Sequence, residues 1–495
     1  MANKKFSQFD LKTNSADVQF VVGYNGTDNV RIAPSNLGGG GASDLNGLSD
    51  VSIDLTNDNA FFINIPSGIS GAVGNIGIGK EALNSLTSGD YNTAIGKQAL
   101  NNSTTSERST AIGYNAGASA GTNLQLNAVL IGDNAGFGRS GYRTVAVGSG
   151  AMSFGLGKSA VNRNTAIGYH ALYRIDTNGA DNIAIGHEAS QFLTTATTNI
   201  AIGDNAARSS TANGHISIGY QAGYSQTSGG NNTNVGYKSG YANTTGGFNV
   251  TLGYEAGRNN TGSHNTYLGF EAGRAKTSGN DNTVVGFRAL DAETTGQRNT
   301  AIGYEALGGQ NQTAASHNTA VGWQSDDGNT TGYFRTNIGA STGRGSATGA
   351  NITNIGYSAL ESSSSASNEV TLGNSSVATL RCAVTSITSL SDERDKSEIK
   401  DLGYGLAFID ALQPREFVWD NRPEIDGDGE EFYSANKGKK DFGFIAQEVQ
   451  ELDNDTLRLV YDSNPDKLEL SYGKLVPILV QAIKELKAEV ELLKS

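Results

Sequence analysis

Cysteine occurs once, histidine five times and proline six times in the 495 residues. A single thiol excludes a disulfide framework and any zinc site built on four cysteines. Long apolar runs are missing too. The longest, residues 475–480, is far short of the roughly 20 needed to span a bilayer. Positive charge is in deficit, with 36 Lys+Arg against 49 Asp+Glu and a net charge of −13. That balance argues against general affinity for nucleic acid or for an anionic membrane. The opening MANKKFSQFDLKTNS has lysines with no apolar core after them, so it does not read as a signal peptide. What is abundant is glycine, 65 residues, without the strict three-residue period of collagen. The length suits roughly three domains, and the composition suits a fibre better than a compact enzyme.

Charge locates the main boundary. Residues 391–495 hold 14 of the 36 basic and 24 of the 49 acidic side chains, which leaves 22 and 25 for the first 390 residues. Charge density therefore rises about threefold at residue 391. Four of the six prolines also follow it.

Before that boundary the phrase NTAIGYxA recurs. Its glycine falls at 18 anchor positions from Gly79 to Gly373, at a mean spacing near 17 residues. The residue before the anchor is always Ile, Val or Leu, as in Ile95, Val147 and Leu252. The residue three before it is always Thr, Ile or Val, as in Thr93, Val145 and Ile183. Two apart, these share one face of a short strand, and the branched types suit a pleated surface. The expectation is that stacking of neighbouring repeats buries this face, since no single repeat can. Ala stands three after the anchor in 14 of 18 copies (Ala82, Ala99, Ala256), where a larger side chain would meet the next coil. Phrases such as TSGDYN and TTGGFN supply turns.

Repeats of this kind resemble the left-handed β-roll heads of YadA-like trimeric adhesins and the shafts of phage tail fibres. The resemblance implies a mainly β fold, a trimeric left-handed β-roll or β-solenoid over residues 75–373. At about 4.8 Å per coil the rod would be roughly 85 Å long. Few large apolar residues per repeat leave a lone rod weakly cored, and three chains sharing an axis remedy that.

Ten of the 18 residues that follow the anchor are aromatic. Tyr220, Tyr237, Tyr254, Phe270 and Trp323 are candidates for receptor binding, as a ladder on which host sugars stack. The same rings also suit packing across a subunit seam, which gives a Tyr hydroxyl a partner. His170, His187, His215, His264 and His317 show no ligand spacing, so no metal is expected and they read as solvated turn residues. Segments such as residues 38–41 lack the Gly-Lys-Ser/Thr ending of a phosphate loop and read as hinges, and no cofactor is expected.

In residues 1–50, Phe20, Val22 and Tyr24 face Val30 and Ile32 across Asn25-Gly26, a hairpin pattern. This stretch resembles the opening of phage tail-fibre proteins, which implies attachment to a virion baseplate, tail or adaptor protein. Capping of the repeat array is the other reading of this end. Residues 51–74 read as a linker or cap, and residues 374–390 as a neck and distal tip.

The module over residues 391–495 carries SDERDKSEI, FIDALQPREFVWD, DFGFIAQEVQEL and LSYGKLVPILVQAIKELKAEVELL in order. This series resembles the self-cleaving intramolecular chaperone domain at the end of phage endosialidases, tail spikes and tail fibres. The family implies a domain that trimerises, templates a β-shaft and is released by autoproteolysis. Its serine–lysine dyad falls on Ser391 and Lys396, with Asp392, Arg394 and Asp395 completing the SDxRxK pattern. The chemistry has independent support, because the module contains neither His nor Cys. A serine nucleophile there needs another base, and a desolvated lysine can serve. Cleavage is expected beside Ser391, at the Leu390–Ser391 or the Ser391–Asp392 bond. The DGDGEE loop, residues 426–431, lacks the spaced ligands of a calcium loop.

The final helix carries an apolar heptad, Tyr472, Val476, Leu479, Ile483, Leu486, Val490 and Leu493, which argues a parallel three-stranded coiled coil. The module thus reads as a smaller α+β chaperone domain ending in that coil. The whole reads as a homotrimeric phage tail fibre, assembled in the host cytoplasm and carried on the virion. Its partner is a host surface glycan or protein, without nucleic acid or membrane insertion. Its enzymology is confined to one turnover of serine autoproteolysis. A bacterial trimeric surface adhesin and a glycan-degrading tailspike are the alternatives.

Overall fold

The computed structural model describes residues 52–54, 60–62, 72–118, 125–138, 141–153, 161–175, 179–292, 294–309, 316–343, 348–382, 391–425, 431–453, 457–462, 464 and 466–495. The N-terminal hairpin pattern, the hinge at residues 38–41, most of the acidic loop and Leu390 lie outside them. The chain forms two compact units, residues 1–227 and 228–495. It is mainly β.

In the first unit a parallel β-solenoid begins where the strand Ala60–Phe62, antiparallel to Ser52–Asp54, pairs with Ile76–Ile78. The strands Thr93–Ile95, Thr110–Ile112, Val129–Ile131, Val145–Val147, Thr165–Ile167, Ile183–Ile185, Ile200–Ile202 and Ile216–Ile218 follow, each one coil further on. They pair in strict register, so that Ala166 lies opposite Ala146 and Ala184. The second unit repeats the plan from Thr233–Val235 to Glu369–Leu372. Val284, for instance, lies opposite Tyr267 and Ala301.

The anchor glycine closes each coil. Gly148 has φ +132°, a backbone state that L side chains rarely enter. A Cβ built there would lie 2.5 Å from the carbonyl oxygen of Gly168, the next anchor. Corners elsewhere in the coil use left-handed residues, such as Asp181, Glu188 and Ser190 at φ 58°, 51° and 47°.

Burial is the reverse of the sequence expectation. The middle residue of each strand points into the coil, and the two branched residues flanking it point out. Ala301 is 0% exposed and Ile302 is 38% exposed. A coil of 17 residues is too narrow for two Ile side chains, so its interior takes Ala, Ser, Asn, Thr or Val. Where a larger residue enters, glycine makes room. A Cβ on Gly117 or Gly136 would meet the Leu130 side chain at 2.7 and 2.8 Å. The Ala three after each anchor is buried, as expected. Each solenoid therefore has a thin core of small side chains and an apolar rail of Ile, Val and Leu on its surface.

A second ladder holds the coils together. Asn stands four before the anchor in 11 of 18 copies, and in the solenoid it is buried. The Asn182 amide Nδ2 donates to the Ala196 carbonyl at 3.0 Å, and its Oδ1 accepts from the Asn199 backbone N–H at 3.0 Å. The Asn182 backbone N–H in turn donates to Asn164 Oδ1 at 2.9 Å. Side chain and backbone thus alternate along the stack. Replacing Asn182 by Ala would orphan a buried donor and a buried acceptor, a cost of about 3 kcal/mol. The expected result is faster amide exchange over residues 182–202, with little change at distant coils. His215 takes the same position, fully buried rather than solvated, and burial pushes its imidazole down to about 4.

After the last shaft strand the second unit contains a small α+β region. Its helices are α1 (Leu406–Ala411), α2 (Ala446–Asp453) and α3 (Leu475–Lys494). Arg415–Val418 pairs antiparallel with Lys440–Gly443, and Val460–Tyr461 with Glu469–Leu470. Leu412, Val449, Leu459, Leu475 and Ile478 form its core. Glu485 of α3 caps α1, accepting from the Leu406 N–H at 2.7 Å. Its carboxyl is held below the usual range by that bond and by Gln481.

Candidate functional site

The candidate site follows the boundary seen in charge. Just past it lies a single 3-10 turn, Glu393–Asp395, and its cap is Asp392. Asp392 Oδ1 accepts from the Arg394 backbone N–H at 2.9 Å, which closes the turn. The Arg394 guanidinium folds back onto the same carboxylate, with Nε 3.0 Å from Oδ1 and Nη2 2.6 Å from Oδ2. These bonds, the side-chain one first, hold the Asp392 carboxyl below its ordinary range.

The turn brings Lys396 back over Ser391. Lys396 Nζ lies 2.6 Å from Ser391 Oγ and 3.0 Å from the Ser391 carbonyl oxygen. The structure therefore brings together the two residues expected to form the dyad. Asp392, the third candidate catalytic residue, caps the turn and engages Arg394 with both carboxylate oxygens. An amine in contact with a hydroxyl is the arrangement a serine nucleophile requires. Every residue from 391 to 400 is exposed in the single chain, and a lysine base works only when desolvated.

Aromatic residues after the anchors form a continuous stack in the second unit. Tyr237, Tyr254, Phe270, Phe287 and Tyr304 follow one another at 4.9–5.1 Å between ring centroids, within 8° of parallel. Trp323 continues the row at 6.4 Å from Tyr304. Each ring covers its neighbour's face, so the row turns its edges outward. Tyr220 belongs to the first unit and is 41% exposed. The branched rail and this stack run along surface that a single chain leaves open.

The heptad residues of α3 are also uncovered. Leu475, Ile478 and Ala482 are the buried positions of the helix, while Val476, Leu479, Ile483, Leu486, Val490 and Leu493 are all exposed, Ile483 at 65%. The helix thus has two apolar faces. One is satisfied by the core of its own region and the other is not.

A repetitive parallel β-solenoid is thus followed by a small α+β region with a serine–lysine pair at its head. Residues 391–458 match the family described as chaperone of endosialidase. The match begins at Ser391 and ends before α3. No curated protein matches the chain. The Asn ladder and the uncovered rail are the features that sequence reasoning missed. Asn stood in plain view inside the repeated phrase, but nothing in spacing distinguishes a ladder residue from a turn residue.

Proposed function

We propose that the chain is a homotrimeric tail fibre of phage type, with a C-terminal module that aligns three chains, assists folding of the shaft and releases itself beside Ser391. The 2.6 Å contact between Ser391 Oγ and Lys396 Nζ, at the first residue of the chaperone-family match, carries the reading. Residues 1–50 attach the fibre to the virion, and the shaft tip exposed by cleavage meets a host glycan or protein. The uncovered rail of each solenoid and the open heptad of α3 support self-association, since an extended apolar stripe marks a surface that is covered by a partner. A C-terminal coiled coil sets three chains level before the near-identical coils can pair out of step. Closing a shaft from unaligned chains would otherwise be slow.

The reading is tested with a chain that stops at residue 390. Full-length protein is expected to yield trimeric shafts by sedimentation. The shortened chain is expected to give monomers and aggregates with little ordered β-structure. Well-ordered trimers from the shortened chain would overturn the proposal.

A further inference from the structure

The shaft interior is mostly neutral; Lys276 is one buried charge, its amine donating to the Gly296 carbonyl, and the coils near the end of the array hold others. Asp326, Arg335 and Glu361 form a buried ionic cluster, with side-chain exposures of 0%, 0% and 2%. Arg335 Nε lies 3.0 and 3.2 Å from the two Asp326 oxygens, and its Nη2 lies 2.9 Å from Glu361 Oε1. Arg335 Nη1 donates to the Gly349 carbonyl at 3.2 Å. Asn329 donates to Asp326 at 3.0 Å, and Asn354 donates to Glu361 at 2.8 Å.

The three charges come from three successive coils, those anchored by Gly322, Gly339 and Gly356. Each of the first two breaks the repeat at its own position. Four after the anchor the other 17 copies carry Leu, Gly, Ala, Met, Ser or Val, and only here is there a charge, Asp326. Four before the anchor Arg335 is the one Lys or Arg among the 18 copies, and its backbone N–H still joins the Asn ladder at Asn318 Oδ1, 3.0 Å away.

We infer that this cluster is a register key, which admits only one neighbour on each side of the Gly339 coil. Elsewhere, a coil that skips its neighbour and pairs with the next meets nearly the same side chains, NTAIG against NTAIG. Here it does not. Pairing of the Gly339 coil with the Gly303 coil would set the Arg335 guanidinium against Leu307, and Asp326 would be buried without a cation. A buried charge stripped of its partner is among the costliest faults a core can hold, whereas the intact cluster adds little over apolar packing. Such a network therefore acts on specificity more than on stability. The key lies in the last coils of the shaft, where neighbour choice propagates to all coils preceding it. It operates whether or not the C-terminal module templates folding.

Titration of the cluster gives an independent readout. Burial pushes the Asp326 carboxyl up to about 7 against the opposing pull of Arg335, and Glu361 is the other charged group facing it. With Asp326 protonated the cluster is neutral, and above that range it carries a buried negative charge. The folded-state value lies above the ordinary one, so this contribution is complete below pH about 4 and is lost as pH rises through about 7.

The test is hydrogen exchange by mass spectrometry on the full chain, over residues 319–372. The key is removed with residues that other coils carry at these positions, Asp326→Leu, Arg335→Asn and Glu361→Asn together. Wild type is expected to show one protected population, and the triple variant to stay folded but divide into two or more. A triple variant with a single population protected like wild type would overturn the proposal. So would a triple variant that fails to fold, since the cluster would then be a stabilising element. Arg335→Met alone, which leaves two buried carboxylates, is expected to exchange at least about a hundredfold faster in this segment. Exchange at the wild-type rate would overturn the key as well. Opening of the wild-type segment should grow more frequent between pH 4 and 7 and should be flat in the triple variant, and a flat wild-type profile counts against the buried cluster on which the key depends.

Discussion

Chains carrying Ser391→Ala are expected to stay at full length, where wild type is expected to separate into a shaft of about 390 residues and a module of about 105. Ser391 Oγ is in contact with the Lys396 amine, at 2.6 Å. In the proposed cleavage the lysine takes the hydroxyl proton as Oγ attacks a neighbouring carbonyl carbon. The C–N bond breaks, the amine leaves with a proton, and water then hydrolyses the ester. Removing either partner of such a pair costs on the order of 10⁴-fold or more in rate, which abolishes cleavage on the time scale of expression. Lys396→Met should match Ser391→Ala. Asp392→Asn should slow cleavage without abolishing it, since an amide can still cap the turn but no longer pairs with Arg394 as an ion. Mass spectrometry of the released module decides between Ser391 and Asp392 as its first residue. Two bands from the Ser391→Ala chain would remove the serine from the mechanism. Residues 391–400 are exposed in one chain, so on the proposed reading association supplies the dry surroundings the lysine needs and cleavage is expected to follow assembly.

The second large effect lies in the shaft. Gly148→Ala is expected to destabilise its coil by about 4 kcal/mol. Two penalties combine there, a φ of +132° that only glycine enters freely and overpacking against backbone. The Cβ would lie 2.5 Å from the Gly168 oxygen and 2.7 Å from its carbonyl carbon. Backbone cannot swing away as a side-chain tip can. Hydrogen exchange over residues 129–168 should lose most of its protection, while a substitution of Glu188, left-handed at φ 51°, should cost far less. Equal effects at the two positions would contradict the account of coil closure.

How far the sequence reveals the molecule depends on what each position must satisfy. Anchor glycines and the strands before them were legible because no other residue type tolerates that backbone state, so the pattern repeats without exception. The inward face was not legible. In a three-residue strand such as Thr300–Ile302 the branched residues and the small one between them face opposite ways, and hydrophobicity alone favours the wrong side. Only the width of the coil decides, and width is not a local property. His215 was misread for a related reason, as a turn residue, because nothing in its neighbours distinguishes a ladder position that is filled by an imidazole. The buried cluster lay beyond reach, since Arg335 meets partners 9 and 26 residues away. Ser391 and Lys396 were legible through the resemblance to the self-cleaving chaperone pattern, and five residues with one capped turn suffice to bring them together. The aromatic row was found by counting, yet its stacking belongs to the third dimension.

That row has an optical consequence. The chain has two tryptophans. Trp323 terminates the ring stack beyond Tyr304, and Trp419, bonded to Asp441 at 3.2 Å, lies beyond Ser391. Light absorbed by the stacked phenols can migrate down the column to one indole and leave as its emission, while the other indole sits outside the column. Each product of scission would then carry its own lamp, one fed by a column of rings and one burning alone.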